Sequence, residues 1–361
     1  CGGIAIRLSS KFTQIQTKMK FTMKRIFILV LAAAAVLSSC SEWTEAENKD
    51  YLPPMRQDDP VAQAAIREFK AGEHMVTMMH VKGSAAEPNR QNQHLTAMPD
   101  SVDFFLMSDV DGLHPVVVAE IARVRATKAT RTLNVVDYTA IRNVWNAMKE
   151  AASGTADEGY YTDEQFASYC RTETEKQLAN CIAYGFDGLV VSYLGGADSS
   201  AAVPFVEAID EWHKANPEKL LFFRGYPAYI ATIENQTVVS DSDYIIILTE
   251  KASASVPISR QVREQLTSGV PSDRVVLEAS VPSVADGNDD AQVGATLQVA
   301  AQWVMDPKTS STVKCDKVGL AASNAQDDYF NSPTYKRIRE AIAILNPEPE
   351  NDSENENNDE K

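Results

Sequence analysis

The stretch that decides the fold is YGFDGLVVSYL, residues 184–194. It begins where a long helical pattern ends, and it continues into an apolar run without the polar alternation of a half-exposed strand. A strand that is buried on both faces has this composition, and such strands belong to parallel sheets that are covered by helices. The segment therefore predicts a buried parallel strand that directly follows a helix.

Further apolar runs of similar length flank this segment and alternate with helical patterns. The strand candidates are residues 74–81, 102–109, 132–138, 188–194, 219–226, 244–250, 274–280 and 317–323. The helix candidates are residues 114–129, 163–185, 202–217, 258–269, 295–306 and 332–345. The third unit is the weakest, since its strand candidate runs toward a Gly- and Asp-containing stretch at 153–159. Eight such units predict a single (β/α)8 TIM barrel of the α/β class, because doubly wound sheets usually have fewer strands.

Composition and charge narrow the possible functions. The chain has 361 residues, of which 44% are hydrophobic and 23% are charged, as in a globular protein with a large core. Its 34 basic and 50 acidic residues give a formal net charge of −16. An acidic surface repels phosphate backbones, so we expect no nucleic-acid partner. The sequence has no glycine-rich phosphate loop and no Cys or His pair at metal-ligand spacing, so we expect neither a cofactor nor a metal.

The first 40 residues have the pattern of an export signal. MKR at 23–25 precedes an apolar run that ends in small residues and Cys40, which is the order of a secretory signal. The ending LSSC at 37–40 resembles a bacterial lipobox, which implies lipidation of Cys40; the alternative is a plain signal peptide with a cysteine nearby. The acidic stretch SEWTEAE at 41–47 resembles the surface-export signals of Bacteroidetes lipoproteins. We therefore expect an outer-membrane lipoprotein that is exposed at the cell surface.

Four parts are predicted along the chain. Residues 1–40 comprise upstream residues, signal peptide and lipobox, and residues 41–59 form a flexible tether. The barrel spans residues 60–346. Residues 347–361 hold seven acidic residues and no large apolar side chain, which is typical of a disordered acidic tail.

Three cysteines lie within the predicted barrel, namely Cys170, Cys181 and Cys315. The first two are eleven residues apart on one predicted helix, about three turns, which is too far for a disulfide. We expect all three to be buried as small hydrophobic side chains.

In a TIM barrel the active site lies at the carboxyl ends of the strands. The polar and aromatic residues at these ends are His80, Lys82, Asp109, Asp111, Asp137, Tyr138, Ser192, Tyr193, Arg224, Tyr226, Glu250, Lys251, Glu278, Ser323 and Asn324. Aromatic faces together with hydrogen-bonding carboxylates suit a neutral, ring-shaped ligand such as a sugar. Single residues also have structural interpretations; Glu250, for example, can pair with Lys251 or with Arg224.

A helix that ends in YGFDG and leads into a buried fourth strand resembles glycoside hydrolase family 18, the chitinase and endo-β-N-acetylglucosaminidase family. The signature of that family on strand four is DGxDxDxE. Asp187 and Gly188 match its first two positions, whereas Val190 and Ser192 replace its second and third Asp, and Leu194 replaces its catalytic Glu. The order of strands and helices also resembles a branch of Bacteroidetes lipoproteins within the family.

The resemblance implies a mechanism that this chain lacks in part. In the family the Glu protonates the glycosidic oxygen, and the neighbouring Asp orients the N-acetyl group of the substrate, whose own oxygen attacks the anomeric carbon. Leu194 can neither donate nor accept a proton, and loss of acid catalysis alone costs about 10²–10⁴-fold in rate. Asp187 is left with a structural role, in which it fixes the turn from helix to strand together with Gly188.

Three functions remain open on the sequence. The first is a surface protein that binds N-acetylglucosamine-containing glycans without hydrolysing them, with expected ligand contacts at Tyr138, Tyr193, Arg224, Tyr226 and Glu250. The second is an active glycoside hydrolase whose acid has moved to another strand end, where Glu250 and Glu278 are the candidates. The third is a structural component of a glycan-uptake complex that includes a transporter.

Overall fold

Eight parallel strands close into a barrel in the computed structural model, which describes residues 59–249, 257–287, 289–290 and 295–347. The strands are β1 Val76–Lys82, β2 Phe104–Ser108, β3 Arg131–Asp137, β4 Gly188–Tyr193, β5 Leu220–Gly225, β6 Tyr244–Leu248, β7 Val275–Ser280 and β8 Lys317–Ser323. Each strand pairs in parallel with the next, and β8 pairs with β1. The predicted (β/α)8 barrel is confirmed, and each predicted strand lies within two residues of its expected ends.

Helices surround this barrel. They are α1 Pro60–Ala71, α2 Pro115–Lys128, α3 Tyr138–Ala152, α4 Asp163–Ala183, α5 Val203–Ala215, α6 Pro227–Ile230, α7 Ile258–Gln265, α8 Leu297–Met305, α9 Pro307–Val313 and α10 Lys336–Leu345. The sequence did not predict α1, α3, α6 or α9. Among the described residues, no helix combines the length and the apolar character that a membrane span requires.

The third unit differs from its prediction because helix α3 starts directly at the end of β3. The carboxylate of Asp137 caps this helix, since its Oδ1 accepts a hydrogen bond from the N–H of Ala140 at 2.9 Å. An Asp at this position satisfies a backbone N–H that has no partner within the helix. Tyr138, which the sequence placed at the end of a strand, is therefore the first residue of α3.

Alternation along β4 decides which side chains enter the barrel. Val190 lies in the barrel interior with apolar residues of the other strands, among them Phe222 and Ile246. Val191 and Tyr193 belong to the second core, between the barrel wall and the helices. Because side chains alternate along a strand, Ser192 shares the inward face with Val190.

Two glycines allow β4 and β5 to approach closely. A Cβ on Gly188 would collide with the carbonyl oxygen of Leu220, and a Cβ on Gly225 would collide with that of Tyr193. Gly225 also has a φ of +115°, which side-chain-bearing residues rarely adopt. The Gly of the motif segment is therefore required by the packing of the two strands.

The three cysteines of the barrel are buried and form no disulfide, as the sequence predicted. Cys170 and Cys181 both lie on α4, and Cys315 precedes β8. Burial raises the pKa of the Cys170 thiol to about 11, so this side chain is held in its neutral form.

Candidate functional site

A buried carboxylate, Glu278 on β7, lies at the centre of the carboxyl end of the barrel. Its two oxygens accept from the guanidinium of Arg224 on β5, at 2.7 Å from Nε and 2.6 Å from Nη2. The Nε2 atom of His80 on β1 lies 3.0 Å from Oε2 of the same carboxylate. These three strands are not neighbours in the sheet, so the three side chains meet inside the barrel.

The contacts continue across the barrel to β4 and β3. Arg224 Nη1 donates to Ser192 Oγ at 3.1 Å, and the Ser192 hydroxyl donates to Asp137 Oδ2 at 3.0 Å. One continuous set of hydrogen bonds therefore links five strands. We call it the carboxyl-end network, consisting of His80, Asp137, Ser192, Arg224 and Glu278.

The side chain of Glu278 is only 2% exposed, so both its burial and its close partners affect its pKa. Burial alone raises its pKa, but the charges and hydrogen bonds of Arg224 and His80 outweigh that effect and hold the pKa of Glu278 well below its ordinary value. The carboxyl group is thus ionised at neutral pH. An ionised carboxylate accepts hydrogen bonds but has no proton to donate.

The strand-four motif divides between the two ends of the barrel. At the amino end, Asp187 pairs with Arg125 on α2 at 2.7 Å and accepts from the N–H of Thr132 on β3 at 2.8 Å. This carboxylate fastens the start of β4 to its neighbours. At the carboxyl end, Leu194 is half-buried, and its N–H donates to Thr139 Oγ1 at 3.3 Å. The position that the resemblance aligns with the family's Glu therefore carries an apolar side chain, two residues after Ser192 of the network.

Tyr138 and Tyr193 do not face the opening of the barrel. The Tyr193 ring is 1% exposed and packs 5.1 Å from the Tyr138 ring, between the barrel wall and the helices. The Tyr193 hydroxyl donates to the carbonyl oxygen of Gly196 at 2.8 Å, and burial raises the pKa of Tyr193 to about 12. Neither ring presents a face to a ligand at the carboxyl end, so the structure offers no surface for the contacts that the sequence assigned to them.

The other predicted ligand contacts have different positions. Tyr226 follows β5, is half-buried and packs its ring 5.6 Å from that of Tyr229. Arg224 is engaged with Glu278 rather than directed away from the barrel. Glu250 and its neighbour Lys251 lie outside the described residues, as does the predicted lipidation site Cys40.

Sequence reasoning missed two side chains that support this end of the barrel, Ser280 and Gln177, whereas it did list Ser323 at the end of a strand. Ser280 and Ser323 join β7 to β8 through hydroxyls 2.6 Å apart, and Gln177 on α4 accepts from the N–H of Asp137 at 3.0 Å. Ser280 follows Glu278 by two residues and could have been found from strand alternation. Gln177 lies in the middle of a helix, where the sequence carries no signal for it.

Titratable groups that could ligate a metal are not gathered together in the described ranges. No group of three or more His, Cys, Asp or Glu side chains there has the arrangement of a metal site.

The fold and the motif segment define a barrel of the glycoside hydrolase family 18 type, with its motif on strand four. The chain matches the family model described as "Glycoside hydrolase family 18, BT1044-like" over residues 44–344, and it belongs to this family. A comparison with curated proteins gives no match.

Two solved structures are similar to the chain in fold. One is BT1044 as a selenomethionine protein with a glutamate-to-glutamine substitution, at a TM-score of 0.53 and 17% identity, covering 83% of this chain and 95% of that chain. The other is the apo endo-β-N-acetylglucosaminidase from Cordyceps militaris, at a TM-score of 0.53 and 14% identity, covering 80% and 97%. At these identities the similarity establishes the fold alone.

Proposed function

We propose that this family 18 barrel binds N-acetylglucosamine-containing glycans at its carboxyl end and does not hydrolyse them. The observation that carries the proposal is Leu194 at the position of the catalytic Glu. A leucine cannot protonate the glycosidic oxygen, and the loss of general acid catalysis costs about 10²–10⁴-fold in rate. Ser192 in place of the motif's third Asp also removes the carboxylate that orients the substrate's N-acetyl group in the family.

The carboxyl-end network supports the same proposal. Glu278 is buried next to the altered motif, but two basic side chains hold it in its ionised form. A general acid needs a proton near the working pH, and this environment favours the opposite state. Glu278 therefore serves better as the anchor of Arg224 and His80 than as a substitute for the missing Glu.

Groups suited to sugar recognition remain at this end. Asp137 and Ser323 are partly exposed and can exchange hydrogen bonds with sugar hydroxyls. The half-buried ring of Tyr226 provides an aromatic surface of the kind that packs against the apolar face of a sugar. Such a site recognises a neutral ligand through shape and hydrogen bonds rather than through net charge.

The proposal also includes a cellular location for the protein. We propose that lipidation at Cys40 anchors the protein in the outer membrane of a Bacteroidetes cell, with the barrel exposed at the surface. The LSSC sequence at 37–40 and the acidic stretch at 41–47 support this, and both lie outside the described residues. The bound glycan would then be available to neighbouring enzymes and to a transporter.

Native mass spectrometry of the full chain with glycans tests the proposal. The panel contains a high-mannose N-glycan, a complex N-glycan and chitooligosaccharides, and each spectrum reports both retained ligand and cleaved product. We expect at least one intact glycan to be retained, with no product after long incubation. Tyr226→Ala should weaken this binding, whereas Tyr160→Ala, at a ring that is 56% exposed elsewhere on the surface, should leave it unchanged.

Two other results would contradict the proposal. Product masses split at an N-acetylglucosamine linkage would mean that the protein is an active hydrolase. Glu250→Gln and Glu278→Gln would then identify the acid, since only the catalytic variant would lose turnover while still binding glycan. Absence of both binding and cleavage at millimolar glycan would favour a structural role in a surface complex.

A further inference from the structure

A cavity of about 820 Å³ opens at the amino-terminal end of the barrel, opposite the carboxyl-end network. Its floor is apolar and is built from residues at the starts of the strands, namely Val76, Phe104, Leu220, Tyr244 and Val318. The volume falls within the range of small-molecule sites, about 300–1,000 Å³. No residue of the strand-four motif or of the proposed glycan site is among those that line this cavity.

Basic residues outnumber acidic ones around the rim. The six basic residues are Arg67, Lys70, His74, Arg131, Arg274 and Lys317, and the three acidic residues are Asp103, Asp243 and Asp273. The chain as a whole has a formal net charge of −16. The cavity therefore gathers positive charge in a protein whose overall charge is strongly negative.

The three acidic residues already have close partners. Asp103 pairs with His74 at 2.9 Å and also accepts from a backbone N–H of β1 at 2.8 Å. Asp273 accepts from Nε and Nη2 of Arg274 at 2.8 and 3.1 Å, and Asp243 accepts from a backbone N–H of β5 at 3.0 Å. The contacts of Asp103 and Asp243 join neighbouring strands, and Asp273 pairs with the next residue in the chain, so all three carboxylates are already engaged.

Two arginines at the rim differ from these paired groups, as far as the described part of the chain extends. Arg131 is the first residue of β3 and is exposed, and Arg67 on α1 donates to the carbonyl oxygen of Thr127 at 3.3 Å. Within the described ranges, no carboxylate forms an ion pair with either guanidinium. A guanidinium presents several N–H donors in one plane, which matches the two oxygens of a carboxylate.

Lys70 adds a third positive group at this end. Its ammonium donates to Val102 O at 2.5 Å and Thr130 Oγ1 at 2.7 Å, which are both neutral acceptors. Burial lowers the pKa of Lys70 to about 8, and Asp103 offsets only part of this effect. A negatively charged ligand nearby would favour the charged form of this side chain.

We propose that this cavity binds a carboxylate anion, with Arg67 and Arg131 as its principal ligands and the apolar floor in contact with the rest of the bound molecule. The shared chemistry is the carboxylate group, which is supplied either by a soluble polycarboxylate or by the acidic segment of this chain, and the experiment below separates these two sources. The chain passes the cavity at Asn346, whose side chain bonds to the backbone N and O of Met75 at 2.8 and 2.9 Å. Met75 lines the cavity, and seven acidic residues follow between Pro347 and Lys361.

Calorimetric titration of the full chain with citrate at low ionic strength tests this proposal. We expect binding of one citrate, and Arg131→Gln should weaken it about tenfold, the equivalent of about 1.4 kcal/mol for one charge-assisted contact. Arg263→Gln is the matched control, because this exposed arginine on α7 donates to the carbonyl oxygen of Ser259 and does not line the cavity. Added salt should weaken binding to the wild-type chain.

A second variant separates the two sources of the carboxylate. In it the seven acidic residues of 347–361 are replaced by their amides within the full chain. Tighter citrate binding by this variant would identify the acidic segment as the natural occupant, whereas equal binding would identify a soluble acid. The proposal is overturned if neither chain binds citrate, or if Arg131→Gln binds as well as Arg263→Gln. Because the cavity and the glycan site lie at opposite ends, failure of one test leaves the other proposal standing.

Discussion

The two ends of the barrel contain similar charged residues but pair them in different ways. At the carboxyl end, Arg224 and His80 both contact the single buried carboxylate of Glu278. At the amino end, the carboxylates contact backbone N–H groups or adjacent basic residues, and Arg67 and Arg131 have no carboxylate partner in the described ranges. The basic side chains at the carboxyl end are therefore paired with a carboxylate, whereas two arginines at the amino end can still bind an anionic ligand.

This difference determines which kind of ligand each end of the barrel can bind. In TIM barrels the carboxyl ends of the strands carry the active site, and the amino ends mainly serve stability. Here the carboxyl end holds a saturated network beside Leu194, so it is better suited to neutral ligands than to proton transfer. The amino end has a cavity lined by Arg67 and Arg131, which form no ion pair with a carboxylate of the described residues, so it is the end that can take up an anion.

The largest expected effect comes from breaking the network at the carboxyl end. Glu278→Gln would leave the charge of Arg224 without its counterion inside the barrel and would remove the carboxylate that contacts His80. Removing one partner of a buried ion pair typically costs about 3–5 kcal/mol in the free energy of unfolding. Urea unfolding of the wild-type and variant chains measures this loss.

The control for this substitution is Glu264→Gln on α7, which removes an exposed partner of Arg260. Exposed pairs of this spacing contribute about 0.3–0.5 kcal/mol. Equal losses for Glu278→Gln and Glu264→Gln would mean that the network does not hold the barrel together as described.

A smaller effect is expected from pH, and it has opposite signs at the two ends. Arg224 and His80 hold the pKa of Glu278 below its ordinary value of 4.5, so its contribution to stability is complete above that pH and is lost as the pH falls below it. The hydrogen bond to Asp103 raises the pKa of His74 above 6.5. Its contribution is therefore complete below pH 6.5 and is lost as the pH rises through the higher value of the folded state.

Unfolding free energies across pH 3–9 for three chains check this prediction. Relative to wild type, Glu278→Gln should lose part of the decline on the acid side, and His74→Gln should lose part of the decline on the basic side. Parallel curves for all three chains would contradict the prediction, because they would show that protonation of Glu278 and of His74 does not change the free energy of unfolding.

The sequence was sufficient to predict the barrel because uninterrupted apolar strands occur at regular spacing, with helical patterns between most of them. Helix α3 was missed for a local reason. The segment from Arg131 continues as an apolar run to Tyr138, and only the capping contact of Asp137 with the N–H of Ala140 shows where the strand ends. Such a contact depends on the backbone geometry at the junction, which propensity alone does not determine.

The site was predicted less completely, because strand-end position does not fix the direction of a side chain. Ser192 and Tyr193 are adjacent on β4, but the first enters the network and the second packs outside the wall. Arg224 and Glu278 were both expected at the carboxyl end, and their contact across the barrel required the closed sheet. A shift of β4 by one residue relative to its neighbours would have exchanged its inward and outward faces, and with them the positions of these two side chains.

The smallest effect is expected at the amino end, where Arg131→Gln removes a charge that has no ion-pair partner among the residues that the structure describes. A surface substitution of this kind changes the free energy of unfolding by no more than about 0.5 kcal/mol. Urea unfolding without citrate should therefore give equal stabilities for Arg131→Gln and wild type, whereas citrate should stabilise the wild-type chain more, since a ligand that binds only the folded state adds its binding free energy. A large loss of stability without citrate would mean that Arg131 supports the barrel. The contrast between the paired basic residues at the carboxyl end and the ligand-accessible arginines at the amino end would then disappear.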